Sequence, residues 1–73
     1  MMSDEVSHAN QRVKEARNAY IAANIRWMKT PSYANTIELT FWEMQWKELV
    51  DFYGDIIDPS LKSATIKREE WEK

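Results

Sequence analysis

A chain of 73 residues with no cysteine and a single histidine, His8, has neither disulfides nor a Cys/His metal cluster to reinforce a small core. Its net charge of −2 is unevenly spread: residues 1–29 carry five basic and three acidic side chains, residues 30–58 one and six, and residues 59–73 four and three. An acidic middle between mildly basic ends lacks the basic face of a general nucleic-acid binder, and no apolar run approaches the roughly 18 residues of a membrane helix.

One helical domain is expected over residues 1–73, with 1–4 and 70–73 flexible. Gly54, Pro31 and Pro59 are the chain's only glycine and prolines, and they divide it into helices over 5–29, 35–53 and 59–72. The predicted fold is all-α: a three-helix unit with a long first helix, an aromatic-rich second and a short third. A chain without disulfides or metal relies on large core side chains or oligomerisation. Four tryptophans, three tyrosines and two phenylalanines supply the first, and dimerisation into a helical bundle would supply the second.

In the first helix, Val6, Ala9, Val13, Ala16, Tyr20, Ala23 and Trp27 alternate spacings of three and four, an a/d seam kept over three heptads. Alanine recurs at 9, 16 and 23, where it lets a neighbouring helix approach, and Tyr20 and Trp27 fill the space beside it. Ser3 or Ser7 is a candidate N-cap, with Asp4 and Glu5 suited to the positive end of the helix dipole. A second apolar stripe, Ile21, Ile25 and Met28, lies off the seam.

After the Thr30-Pro31-Ser32-Tyr33 break, Asn35 and Glu38 have the spacing of a capping box. A strand over 36–41 competes, because Thr36-Ile37-Glu38-Leu39-Thr40-Phe41 alternates polar with apolar. A lone strand has nothing here to pair with, and helical periodicity continues past it, so helix is preferred. Leu39, Trp42, Trp46, Leu49, Tyr53 and Ile56 repeat the heptad seam; Ile37, Phe41, Met44 and Phe52 form a second apolar face; Thr40, Glu43, Lys47 and Asp51 are the solvent strip. A helix apolar on most of its circumference expects cover on most sides. In the third helix, Asp58 is the expected N-cap, Pro59 the first helical residue, and Leu61, Ala64 and Trp71 the apolar face.

These patterns contain no nucleophile–base pair, so an enzyme, a cofactor and a small-molecule substrate are not expected. His8 reads as a solvated side chain. Glu48, Asp51, Asp55 and Asp58 lack a calcium-loop spacing and read as an acidic rim, either solvated or set against a basic partner. Trp42 and Trp46 read as core. Trp27, Ile37, Phe41, Met44, Phe52 and Trp71 are the candidate protein-binding residues, because large apolar side chains beyond what a small core consumes, tryptophan above all, anchor interfaces. The expected function is that of a small non-enzymatic regulator that docks on a larger protein or complex and inhibits or modulates it. The lack of cysteine, of a signal-peptide apolar region and of a membrane helix leads to an expected cytoplasmic location. In style, the chain resembles phage-encoded accessory proteins that target host machinery such as RNA polymerase or defence nucleases, and for a phage-encoded chain that cytoplasm is the host's. No site residue is carried over from that resemblance. The alternative is a homodimeric scaffolding module. A third class, nucleic-acid binding through Arg12, Arg17, Arg26 and Lys29, is opposed by the net acidity.

Overall fold

The computed structural model describes residues 2–63, and every element among them is helical. α1 runs over Met2–Lys29 and α2 over Tyr33–Tyr53. Two 3-10 turns follow, Gly54–Ile56 and Pro59–Lys62. The two long helices form an antiparallel hairpin measuring 44 × 24 × 15 Å. Among the described residues each long helix has only the other as a long-helix neighbour, with the 54–63 segment packed beside them.

The seam of α1 faces α2. Ala9, Val13, Ala16 and Ala23 are buried, with Val13 fully so, while Tyr20 and Trp27 are half-buried and Val6 is exposed near the end of the seam. Trp46 and Ile57 complete the buried set, against which Tyr20, Leu49, Val50, Tyr53 and Leu61 pack. The indole of Trp46 and the ring of Tyr20 stack with planes 4° apart and centroids 5.7 Å apart. Small residues on one helix facing an indole on the other satisfy the requirement for close packing in so thin a body.

Two features of the chain punctuation differ from the sequence expectation. Ser3 and Ser7 both lie inside α1, which already begins at Met2. The cap of α2 is Ser32, not Asn35: extended backbone at Ser32 (φ −129°, ψ 165°) lets its hydroxyl oxygen accept the N–H of Asn35. A hydroxyl at the N-cap satisfies one of the unpaired N–H groups of the first turn, which stabilises by about 1 kcal/mol. Asn35 instead donates its side-chain amide to the Thr30 carbonyl at 2.8 Å. Glu38, freed from a capping box, pairs with Arg26 of α1 at 3.1 Å. The 36–41 segment is helix throughout. Local alternation gives way there because helical hydrogen bonds satisfy the backbone, whereas a lone strand would leave it unpaired.

Of the third helix expected over 59–72, the described part is a turn, and the rest lies outside the described residues. Pro59–Lys62 is a single 3-10 turn, and Ser63 after it is extended (φ −121°, ψ 134°). Asp58 and Pro59 do start the turn, Asp58 Oδ1 accepting the Ser60 N–H at 3.0 Å. Tertiary contacts hold it in place: the Leu61 carbonyl accepts the Trp46 indole N–H at 2.9 Å, and the Ser63 carbonyl accepts Arg17 Nε at 2.7 Å. The Leu61 side chain packs on the core, and Ala64, Trp71 and the charged tail lie outside the described residues.

The heptad seam of α2 ends at Tyr53. Gly54 takes φ +58°, which closes the helix with its N–H on the Val50 carbonyl. The resulting change of direction exposes Ile56 and buries Ile57 in its place. An extrapolated helical register fails once the backbone leaves the helix.

Candidate protein-binding face

α2 presents two apolar faces, and among the described residues only one has protein against it. Leu39, Trp42, Trp46, Leu49 and Tyr53 are buried or half-buried toward α1. On the opposite side Ile37, Phe41 and Met44 are each about half exposed (51, 50 and 55%), and Phe52 is 79% exposed. These positions recur at three- and four-residue steps, with a four-residue step to Glu48 and another to Phe52. They therefore form one stripe along the helix. Tyr33, 83% exposed, extends it by one turn toward the N-terminus of α2. At 1.5 Å per residue the stripe from Ile37 to Phe52 is about 22 Å long.

The rings on this stripe are braced on one side only. Phe41 meets Trp42 edge-to-face at 5.0 Å, and Phe52 meets Tyr53 in the same way at 5.0 Å. Each exposed phenylalanine thus leans on an aromatic neighbour that faces α1, which limits its rotamers while leaving its outer face in water. Rings already restricted lose less entropy when a partner covers them.

The polar residues of α2 divide the same way. Glu43, expected in the solvent strip, turns toward α1, where Oε2 accepts the Tyr20 hydroxyl at 3.3 Å and Oε1 lies 3.7 Å from Lys47 Nζ. Burial of Tyr20 is the main cause that raises its hydroxyl above the ordinary value of 10.0, and the Glu43 charge and hydrogen bond add to it. Glu38 is held by Arg26. Glu48 and Asp51 are exposed and have no ion pair or hydrogen bond among the described residues.

The remaining candidates separate. Trp27 is half-buried at the helix–helix turn, its indole N–H donating to Thr36 Oγ1 at 3.0 Å while Thr36 Oγ1 donates to the Ser32 carbonyl at 2.8 Å. Its polar handle is occupied in fastening the turn, well away from Phe52 at the other end of the stripe. Trp71 lies outside the described residues. Tyr33 and Glu48 belong to the stripe but not to the sequence-derived set. Tyr33 is four residues before Ile37, a spacing that becomes visible once α2 starts at 33, and Glu48 has the right spacing but the wrong polarity for an apolar search.

Other sites offer less. Asp51 and Asp55 do not share a helix face, because α2 ends between them and Asp55 pairs with Lys62 at 3.4 Å. Among the described residues no three His, Cys, Asp or Glu side chains converge as metal ligands, and no helix is long and apolar enough to cross a membrane. His8 is exposed on α1. A cleft of 230 Å³ between Arg12, Ala16, Trp42 and Leu49, and one of 250 Å³ beside Trp46 and Lys62, fall below the roughly 300–1,000 Å³ of ligand pockets. A third, of 420 Å³, is lined mostly by polar side chains of α1 such as Asn10 and Lys14.

Compared with known proteins, the chain matches no family model, no curated protein and no solved structure.

Proposed function

We propose that this chain is a small non-enzymatic protein-binding regulator, a helical hairpin that docks on a larger protein or complex through the outer face of α2 and inhibits or modulates it. The observation that carries this reading is the continuous apolar stripe Ile37, Phe41, Met44 and Phe52, with Tyr33 at its end, left exposed by the described residues. Single exposed apolar residues are ordinary on protein surfaces, but a contiguous patch with aromatic residues marks an interaction site. Trp27 and Trp71 are outlying contacts in this reading. Host machinery such as RNA polymerase is the class of target to examine first, on the resemblance in style to phage accessory proteins.

The same stripe supports a second reading, a homodimeric scaffold in which α2 of one copy covers α2 of another. The two are separated by comparing the chain with a Phe41→Ser, Phe52→Ser variant, each tagged and incubated with lysate of the native cell. A heterologous protein retained by the unaltered chain and lost by the variant supports the regulator. Recovery of the chain alone, as a tight dimer that the variant abolishes, overturns it in favour of the scaffold.

A further inference from the structure

We propose that the partner seated on the outer face of α2 is a basic amphipathic helix of another protein, its apolar side chains covering Ile37, Phe41, Met44 and Phe52 and a lysine or arginine pairing with Glu48. This rests on the protein-binding reading and specifies the chemistry of the partner.

Glu48 is the deciding residue. It lies four residues after Met44 and four before Phe52, inside the apolar stripe instead of at its edge. Any surface that covers the stripe also removes this carboxylate from water. A buried carboxylate without a counter-charge is strongly unfavourable, so the covering surface must bring a cation to it. The hairpin has none to offer there. Lys47, the only cation on α2, is engaged by Glu43, and as the neighbour of Glu48 it points about 100° away around the helix. Asp51 adds a second unpaired carboxylate near the same face.

This charge pattern discriminates among occupants. A second copy joined by two-fold symmetry through the stripe itself would set α2 against α2, bringing Glu48 and Asp51 to a surface with the same carboxylates and a single cation, Lys47, that already faces Glu43. A second copy offering only its more basic α1 would make a heterologous, head-to-tail contact, which builds rings or filaments instead of a two-fold dimer. A membrane surface carrying anionic lipids would be repelled by the same carboxylates. A straight stripe about 22 Å long, with anchors every three or four residues, suits a helix of roughly fifteen residues laid along it.

The test uses two synthetic peptides of heptad design with leucine at the apolar positions, one carrying lysine elsewhere and its twin carrying glutamate. Each is titrated into the full chain by fluorescence anisotropy, with circular dichroism verifying that every variant is folded. The leucine–lysine peptide is expected to bind, and its twin to bind at least about tenfold more weakly, as is the leucine–lysine peptide to Glu48→Gln. Glu5→Gln, the same charge change in the first turn of α1, should leave affinity unaltered, and Glu48→Lys should shift preference to the glutamate peptide. Equal binding of both peptides, or equal effects of Glu48→Gln and Glu5→Gln, overturns the charge assignment while leaving a docking face in place. Binding that is indifferent to Phe41→Ser, Phe52→Ser overturns the face itself. A concentration-dependent dimer lost in that double variant, with neither peptide bound, puts a second copy there and overturns the proposal. A tenfold gain in affinity for the leucine–lysine peptide on Lys67→Gln, Arg68→Gln would overturn it in favour of the chain's own residues 64–73.

Discussion

Trp46 and Phe52 lie on the same helix and have similar apolar character, yet one is buried and the other almost wholly in water. Around Trp46 three parts of the chain converge. α1 provides Val13 and the stacked ring of Tyr20, Ile57 and Leu61 arrive from the segment after α2, and the Leu61 carbonyl takes the indole N–H. That segment is pinned at three points by polar groups from the helices, because Asn10 Oδ1 also accepts the Asp58 N–H at 2.8 Å and Arg17 holds the Ser63 carbonyl. Around Phe52, among the described residues, only the edge of Tyr53 comes close. The difference teaches that burial in this fold follows the positions of hydrogen-bonded crossings, which determine where a third piece of chain comes to rest. Residue type along α2 does not separate its two faces.

The comparison breaks most sharply at Trp46. Trp46→Ala removes the stack with Tyr20 and leaves the Leu61 carbonyl without its donor. It should cost about 3–5 kcal/mol, most of the stability of a domain this small, and appear as loss of the cooperative transition in chemical denaturation. A midpoint shifted only slightly would mean that the inner face is not the core. Next in size is Ala16→Glu, which puts a carboxylate at a position 4% exposed on the α1 seam. A cost of about 3 kcal/mol is expected from burying it unpaired, read as a lowered thermal midpoint, and an unchanged midpoint would show that the helices do not close there.

A smaller effect comes from Tyr20, whose hydroxyl is held above its ordinary value first by burial and then by Glu43. The folded state favours the neutral phenol, so this contribution is complete below the unfolded value of about 10 and disappears as pH rises through the higher folded value. Denaturation between about pH 9 and 11 should therefore show a steeper loss for the unaltered chain than for Tyr20→Phe; parallel curves would place Tyr20 in solvent. The smallest effect sharpens the comparison from the other side. Phe52→Ser should change stability by less than about 0.5 kcal/mol, as surface substitutions do, while weakening any partner contact made by the stripe. A loss of several kcal/mol in the isolated chain would show that Phe52 is covered, not free.

Much of the hairpin was legible in the residues themselves. The seven-residue rhythm of α1 identified Ala9, Val13, Ala16 and Ala23 as the packing surface, because alternating steps of three and four keep side chains on one helical face. The same arithmetic separated Ile37, Phe41, Met44 and Phe52 from Leu39, Trp46 and Tyr53. Periodicity is a property of one helix, and where the chain stayed in one helix the reading held except at Glu43, which meets the Tyr20 hydroxyl, and at Val6, exposed near the end of the seam. It failed at the junctions. Ser32 in place of Asn35, Ile57 in place of Ile56, and a 3-10 turn at the start of the expected third helix all involve backbone geometry or partners distant in sequence, such as Arg17 with Ser63 and Trp46 with Leu61. By itself, then, the sequence determined that there are two amphipathic helices and that α2 has two apolar faces. It also favoured the Trp42 and Trp46 seam as the covered face. What covers that face was decided only by tertiary structure, because the turn at Gly54 and three long-range hydrogen bonds bring the following segment onto the Trp46 side. Glu48, among the exposed residues of the other side, is left without a counter-charge.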